Sequence, residues 1–408
     1  MPGPTILQII PELDTGGAEI STLEIVEALT AAGAKALVAT EGGRLAGEVE
    51  RLGGELVPFP AATKNPVKMW ANAGKLARLV RQRGIALLHA RSRAPAWSAL
   101  VAARRTNVPF VTTYHGAYGG QSRLKNAYNG VMARADLVIA NSGFTARLVM
   151  GRHGTPASCI RIIHRGVDLR KFDPAEVAPD RVAELRRAWG VGPDQPVFLQ
   201  AARLAGWKGH RTVIDAFGQL NRNSELRNAV VVMAGDPQGR DGYRDELLAR
   251  IRTFDLGERI RLTGHCADMP AAFAAARLAI VASTEPEAFG RAVTEASSMG
   301  VPVIATDIGA PPETVVTEPE TDRTGWLVSP GDAGALADAL RKATALTDPE
   351  RAAFAHRARR HVARRFSVGA MQHATLAVYD ELLGTDLAQS FGAHNSSPQF
   401  AVQPPPGP

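Results

Sequence analysis

The chain of 408 residues has only two cysteines, Cys159 and Cys266. They are too few and too far apart for a disulfide framework or a zinc site, which points to a reducing compartment. No apolar run approaches the roughly 20 residues that span a bilayer. The N-terminal Met1-Pro-Gly-Pro lacks basic residues, and the apolar run Ile6 to Ile10 is broken by Gln8 and too short for a signal peptide, so a cytoplasmic location is expected. No GxGxxG is present, which disfavours a nicotinamide or flavin dinucleotide. His89, His153, His164, His210 and His265 have no metal-ligand spacing such as HExxH. Asp14, Asp236 and Asp307 follow strands singly, without a DxD pair, so no structural or catalytic metal is expected. The last absence is of acid. From Leu56 to Ala135 there is no Asp or Glu, against thirteen Lys or Arg in a chain of formal charge +7. Such a field favours an anionic partner, whether acidic lipid headgroups, a phosphorylated acceptor or nucleic acid. Nucleic acid is the weakest of these, because no DNA- or RNA-reading module accompanies the charge.

What is present reads as a soluble globular α/β protein, 45% hydrophobic and 21% charged, with length for two domains. Near-continuous apolar strands alternate with helical patterns: Thr5–Ile10, Ala34–Ala39, Glu55–Pro58, Ile85–Ala90, Phe110–Thr113, Leu137–Ala140 and Ile160–Ile163. That rhythm predicts a parallel sheet covered on both faces. It breaks in a polar stretch punctuated by Pro174, Pro179, Pro193 and Pro196, where one short helix spans about Arg181 to Trp189. A second series follows at Val197–Gln200, Val230–Ala234, Ile260–Leu262, Leu278–Ala282, Val303–Ala305 and Trp326–Val328. Arg351 to Leu383 reads as two helices broken near Phe366-Ser367. The expected domains are therefore 1–168, with a C-terminal helix at about 367–384 packing back on it, a linker at 169–192, and 193–366. The Ser-, Gln- and Pro-rich tail, 385–408, is expected to be disordered. Doubly wound domains bind ligands outside the carboxyl ends of their strands, and two such domains would face each other across a cleft.

The candidate motifs fall at those ends. Gly16 and Gly17 lie between the first strand and a helix start, where backbone amides can approach an anion. His115 follows the strand at Phe110. Arg203 and Lys208 sit in the loop after the first strand of the second domain, suited to hold a diphosphate and offset charge growing on it. The stretch Ser283 to Ile304 carries Glu287 just before a helix that opens near Phe289-Gly290 and ends at Gly300, and Glu295 within that helix among apolar residues, where an acid needs a partner. On one helix the two acids would be roughly 12 Å apart, too far for a glycosidase pair. They fit hydroxyl groups at two points along one long ligand better.

Glu287-Ala-Phe-Gly-Arg-Ala-Val-Thr-Glu295 resembles the E-x7-E signature of the retaining glycosyltransferases of family 4. Gly16-Gly17-Ala-Glu19 resembles the family's N-terminal loop, Ala202-Arg203-Leu204 with Lys208-Gly209 its "GRL…KG", Gly166-Val-Asp168 with Phe172 its "NGVD…F", and Thr324-Gly-Trp-Leu-Val328 its "tGllv". The likeness covers about residues 5 to 384. It implies a GT-B fold, two Rossmann-like domains, and retaining, metal-independent transfer from a UDP- or GDP-linked sugar, with no further cofactor. By motif, Arg203 and Lys208 would hold the diphosphate, and Glu287, Ala288, Phe289 and Gly290 the donor sugar. Glu295 would hold the ribose, Gly264 and His265 the base, and His115 would stand by the sugar, with Gly16 and Gly17 by phosphate or acceptor. Ala288 replaces a usual Gly, His164-Arg165 the common Pro-Asn, and Pro311-Pro312 a frequent Gly-Gly.

The resemblance implies transfer of a hexose or N-acetylhexosamine. The Arg91-Ser-Arg-Ala-Pro-Ala-Trp97 run is similar to lipopolysaccharide-core mannosyltransferases of this family, and the basic segment fits a glycan or lipid-linked anionic acceptor at the inner face of the cytoplasmic membrane, with peripheral membrane contact through 56–135. Two other classes compete: a nucleotide-sugar 2-epimerase on the same fold, and a non-catalytic module binding anionic lipid or nucleic acid.

Overall fold

The computed structural model describes residues 3–14, 16–116, 122–223 and 225–395. The chain forms two compact units, one from the residues up to Gly166 together with those from Val368, the other from Val167–Ser367. The first holds β1 (Thr5–Ile9), β2 (Lys35–Thr40), β3 (Glu55–Pro58), β4 (Ile85–Ala90), β5 (Phe110–Tyr114), β6 (Leu137–Ala140) and β7 (Ile160–Ile162). They form one parallel sheet in the order β3-β2-β1-β4-β5-β6-β7. The second holds β8 (Val197–Ala201), β9 (Val230–Ala234), β10 (Ile260–Gly264), β11 (Leu278–Val281), β12 (Val303–Thr306) and β13 (Gly325–Val328). Their order is β10-β9-β8-β11-β12-β13, again parallel. Both sheets are Rossmann-like.

Burial on both faces explains the unbroken apolar strands. In β6 and β9 every residue is buried, and each sheet has one core cluster on either side. The strand order reverses between β1 and β4 in one unit and between β8 and β11 in the other. Those two places are where an open parallel sheet leaves a crevice.

The stretch expected to be a linker is part of the second unit. Phe172, Val177, Trp189 and Val191 are buried in its core. The ring of Phe172 lies 6.3 Å from Phe273, and its carbonyl accepts from Ser298 Oγ at 2.8 Å. The prolines start turns and the helix Pro179–Ala188, but the apolar residues between them anchor each turn. The expected disordered tail also differs in part. Helix Leu387–Asn395 follows the helix Val368–Leu383, and Leu387, Ala388 and Phe391 are buried against the first unit. The tail from 396 onward lies outside the described residues.

The break at Phe366-Ser367 separates helix Asp348–Arg365 from Val368–Leu383. Val167 N donates to Phe366 O at 2.7 Å and Val167 bridges Ser367, so the two places where the chain passes between units are tied together. Helix Val368–Leu383 packs on helix Gly17–Ala31, where Gln372 Nε2 donates to Glu24 O at 2.8 Å. Tyr379, fully buried, meets His89 Nδ1 at 2.6 Å.

Candidate active site

In the second unit the loop after β8 is built by close backbone approach. Ala202 N donates to Ala234 O and Leu204 N to Asp236 O, both at 3.1 Å. Gly235 presses on Ala202, where a Cβ would stand 1.8 Å from the carbonyl oxygen. The loop ends in the turn Gly206–Lys208 and then Gly209, whose φ of +73° is left-handed and whose missing Cβ would lie 1.7 Å from Ala282 O. Helix His210–Arg222 starts there. Gln200 Nε2 holds Lys208 O at 2.8 Å, and Thr284 N donates to Trp207 O at 2.7 Å. The loops after β8 and β11 are thus stitched across the reversal of strand order.

Glu287 is fixed with the same care. Its backbone bridges Gly309, and its carbonyl accepts from Ala310 N at 2.9 Å. Only glycine fits at 309, with φ +79° and a Cβ position 2.5 Å from Glu287 N. The Glu287 carboxylate accepts from Lys208 Nζ at 2.6 Å and from Ser283 Oγ at 2.5 Å, both at Oε1. The Lys208 ammonium also stands 4.2 Å from the centre of the Trp207 ring. The Lys208 and Glu287 side chains are 17% and 10% exposed, so this is a nearly desolvated ion pair. A cation and a carboxylate in that setting present one charge for phosphate and one acceptor for hydroxyls.

The structure brings Lys208 and Glu287 together and leaves Arg203 apart. Arg203 is exposed, and Nη1 donates to Gln238 Oε1 at 3.0 Å, on the loop after β9. Gly290, left-handed at φ +81°, precedes helix Arg291–Ser298, and Ala288 lies between it and Glu287. Phe289 is a core residue, 3% exposed, its ring 5.9 Å from Phe366. Its side chain therefore faces away from any ligand. Glu295 has a protein partner, Arg291 Nε at 3.1 Å one turn earlier. Burial raises its carboxyl above the usual range, with Arg291 opposing. Gly264 ends β10 at φ +73°, and His265 beside it is exposed. Beyond them a cavity of about 440 Å³ is lined by Arg170, Lys171, Arg181 and Asp268, among others. Arg181 grips Asp268 there with two hydrogen bonds, at 2.9 and 2.8 Å.

In the first unit, Gly16 and Gly17 follow β1 and open helix Gly17–Ala31, with no side-chain cap. A Cβ on Gly17 would stand 1.8 Å from Arg165 Nη1. Arg165 Nη2 donates to His115 Nδ1 at 3.1 Å, which leaves the ring proton on Nε2. Burial first, then Arg165, holds the His115 pKa well below its usual value, so the ring is neutral near pH 7. Arg91, read from sequence within the basic field, is buried. It donates to Gln8 Oε1 and to Ser21 O, inside the crevice between β1 and β4.

Sequence reasoning passed over three residues of this geometry. Ser283 is the buried donor to Glu287, Trp207 is the ring under Lys208, and Arg291 is the partner of Glu295. Only Arg291 had a signal, the i, i+4 spacing. Among the described residues no group of three or more His, Cys, Asp or Glu is placed to hold a metal ion, and no helix is long and apolar enough to cross a membrane.

Residues 15–171 match the Glycosyltransferase Family 4 domain and residues 182–361 the Glycosyl transferases group 1 domain. A glycosyltransferase from Rickettsia africae ESF-5 superposes with TM-score 0.85 at 30% identity, covering 94% of this chain and 100% of that one. Anabaena HepE, in complex with UDP and glucose, superposes with TM-score 0.77 at 26% identity, over 92% of this chain and 99% of that one. The D-inositol 3-phosphate glycosyltransferase of Mycobacterium tuberculosis H37Rv is 32% identical over 259 residues, 62% of this chain. The chain spans half the length of that relative. Two Rossmann-like sheets, a lysine–glutamate pair at the second reversal of strand order, and these likenesses place the chain in glycosyltransferase family 4, with the GT-B fold.

Proposed function

We propose that this protein is a retaining glycosyltransferase that moves a hexose or N-acetylhexosamine from a nucleotide-sugar to an acceptor hydroxyl. The observation that carries the reading is the Lys208–Glu287 pair held by Ser283 at the β8/β11 crevice. Lys208 takes the diphosphate and Glu287 the sugar hydroxyls beside it. Arg203, apart from that pair and bonded to Gln238, reaches the phosphates from the β9 side by giving up that bond. Ala288, Phe289 and Gly290 serve through their backbone. Glu295 takes the ribose and Gly264 with His265 the base. In the first unit His115 stands by the sugar through Nε2–H, and Gly16 and Gly17 line the phosphate or acceptor loop. The UDP complexes of Anabaena HepE, at 24–26% identity, favour a UDP-linked donor over a GDP-linked one.

In this reading the bond from the anomeric carbon to the diphosphate oxygen breaks first, its electron pair leaving with the diphosphate. Lys208, Arg203 and the start of helix Arg291–Ser298 offset that charge. The acceptor oxygen bonds to the anomeric carbon on the same face, and its proton passes to a leaving diphosphate oxygen. No side chain acts as nucleophile and no metal or other cofactor is needed. The acceptor is a glycan or lipid-linked anion of the cell envelope, of the lipopolysaccharide-core kind, reached by a cytoplasmic protein at the membrane surface.

Family membership disfavours the epimerase and the non-catalytic module. The test is incubation with UDP-, GDP- and ADP-sugars and a panel of envelope glycolipids, with the product anomer read by NMR. Retention at the anomeric carbon supports the reading. Inversion, or free epimerised nucleotide-sugar without acceptor, sinks it.

A further inference from the structure

Folding sorts the acid-free segment into cations that are consumed and cations that are displayed. Arg91 is buried on Gln8, and Arg93 donates to Asn129 Oδ1 at 2.9 Å. Of the displayed ones, Lys68, Lys75, Arg78, Arg81 and Arg83 lie on helix Pro66–Arg83, and others, such as Arg104, Arg105, Arg123 and Lys125, on elements after it. The inner face of helix Pro66–Arg83, Met69, Asn72, Ala73, Leu76, Ala77 and Val80, is buried at helical spacing. Its outer face shows Lys68, Lys75, Arg78 and Arg81, all exposed. Among these cations stand two apolar residues, Val67 at 77% and Trp70 at 66% exposure, one turn apart.

These are costly groups to leave in water together, and each has a neighbour in the fold. Asn65 Oδ1 accepts from Val67 N at 3.0 Å and Lys68 N at 3.2 Å, fixing the first turn. The Arg105 guanidinium lies 5.2 Å from the centre of the Trp70 ring, from the neighbouring helix Arg93–Thr106. Two acids of the same unit are engaged with other partners. Glu55 pairs with Arg83 at the far end of the helix, and Glu41 accepts from Ala62 N ahead of its start.

Resting on the proposed envelope acceptor, we infer that the first turns of helix Pro66–Arg83 are a membrane-docking face, with Trp70 and Val67 at the acyl boundary and Lys68, Lys75 and Arg78 on anionic headgroups. An amphipathic ring belongs at that depth, and basic residues around it take the phosphates. Nucleic acid fits less well. It would use the cations and could stack on Trp70, but an exposed valine beside the ring gains nothing from a phosphate backbone.

The test uses the full chain and flotation with phosphatidylcholine vesicles, with and without about one-third phosphatidylglycerol. The inference predicts binding to the anionic vesicles only, weakened at high salt. Lys68→Glu with Arg78→Glu weakens it at least about 25-fold, taking about fivefold per cation removed. Val67→Ser with Trp70→Ala weakens it about fivefold or more, and does so at high salt as well as low. All four changes are on an exposed face, and each variant should keep the thermal stabilisation that a nucleotide gives the wild type. Equal binding to neutral vesicles, no change in either double variant, or displacement of the protein from vesicles by stoichiometric single-stranded DNA overturns the docking face. A wild type that binds vesicles yet gains no stability from any nucleotide overturns the transfer reading instead and leaves this one standing.

Discussion

The two crevices, one per unit, are filled by opposite means. Between β8 and β11, charges of opposite sign meet directly, Lys208 on Glu287, on backbone that two left-handed glycines hold in place. Between β1 and β4 the charge is held by neutral groups. Arg91 rests on an amide and a carbonyl, and His89, buried, and His115, half-buried, are uncharged near neutral pH. A cation held in place by an ion pair suits a ligand that is anionic throughout, such as a diphosphate.

The largest effect expected from breaking that comparison is kinetic. Lys208→Ala should lower kcat/KM about 10²- to 10³-fold, as when a transition-state charge loses its fixed donor. Arg91→Met should act on stability instead, which steady-state rates and urea melts on the two variants separate. Second is the backbone under the ion pair. Gly209→Ala forces a Cβ into Ala282 O at a left-handed φ and should cost about 3 kcal/mol, read as a lower urea midpoint.

Third is pH. Burial pushes His210, at the start of the helix after Lys208, down to about 4 from 6.5. The folded ring is neutral where the unfolded one is protonated, so the unfolded state binds more protons between those values. Stability is then full above pH 6.5 and falls as pH drops toward 4, by up to about 3 kcal/mol from this residue alone. His89 and His115 push in the same direction. Urea melts across that range check the sign, and a stability that rises on acidification would contradict it. The smallest effect is at the surface, where Arg83→Ala removes an exposed pair with Glu55 and should change stability by less than about 1 kcal/mol.

All thirteen strands of the described residues were legible; those buried on both faces, such as β6 and β9, leave no alternation to misread, and the rhythm carried the more exposed β3 and β7 with them. Lys208 and Glu287 stood out as residues after strands and as parts of motifs that resemble a family, and the structure brings these two together. Side-chain partners leave few marks. Glu295 read as an acid in need of a partner that a ligand could supply, and Arg291, which pairs with it, was marked only by the i, i+4 spacing. Arg91 was counted in the basic field that favours an anionic partner, and it is buried on Gln8 and Ser21. Residues 169–192 read as a linker because proline and polar residues outnumber Phe172, Val177, Trp189 and Val191, although those four carry the packing. Composition counts residues; burial depends on which of them face inward.

The central claim is that Lys208 and Glu287 divide one donor between them, phosphate to the first and sugar to the second. Calorimetric titration of UDP and of its sugar conjugates into wild type, Lys208→Ala and Glu287→Ala tests it directly. The account predicts that Lys208→Ala weakens UDP and UDP-sugar alike, by about tenfold or more. Glu287→Ala should instead erase the gain in affinity that the sugar confers over UDP. Lys208→Ala binding UDP as tightly as wild type, or Glu287→Ala preserving the sugar's contribution, would contradict it.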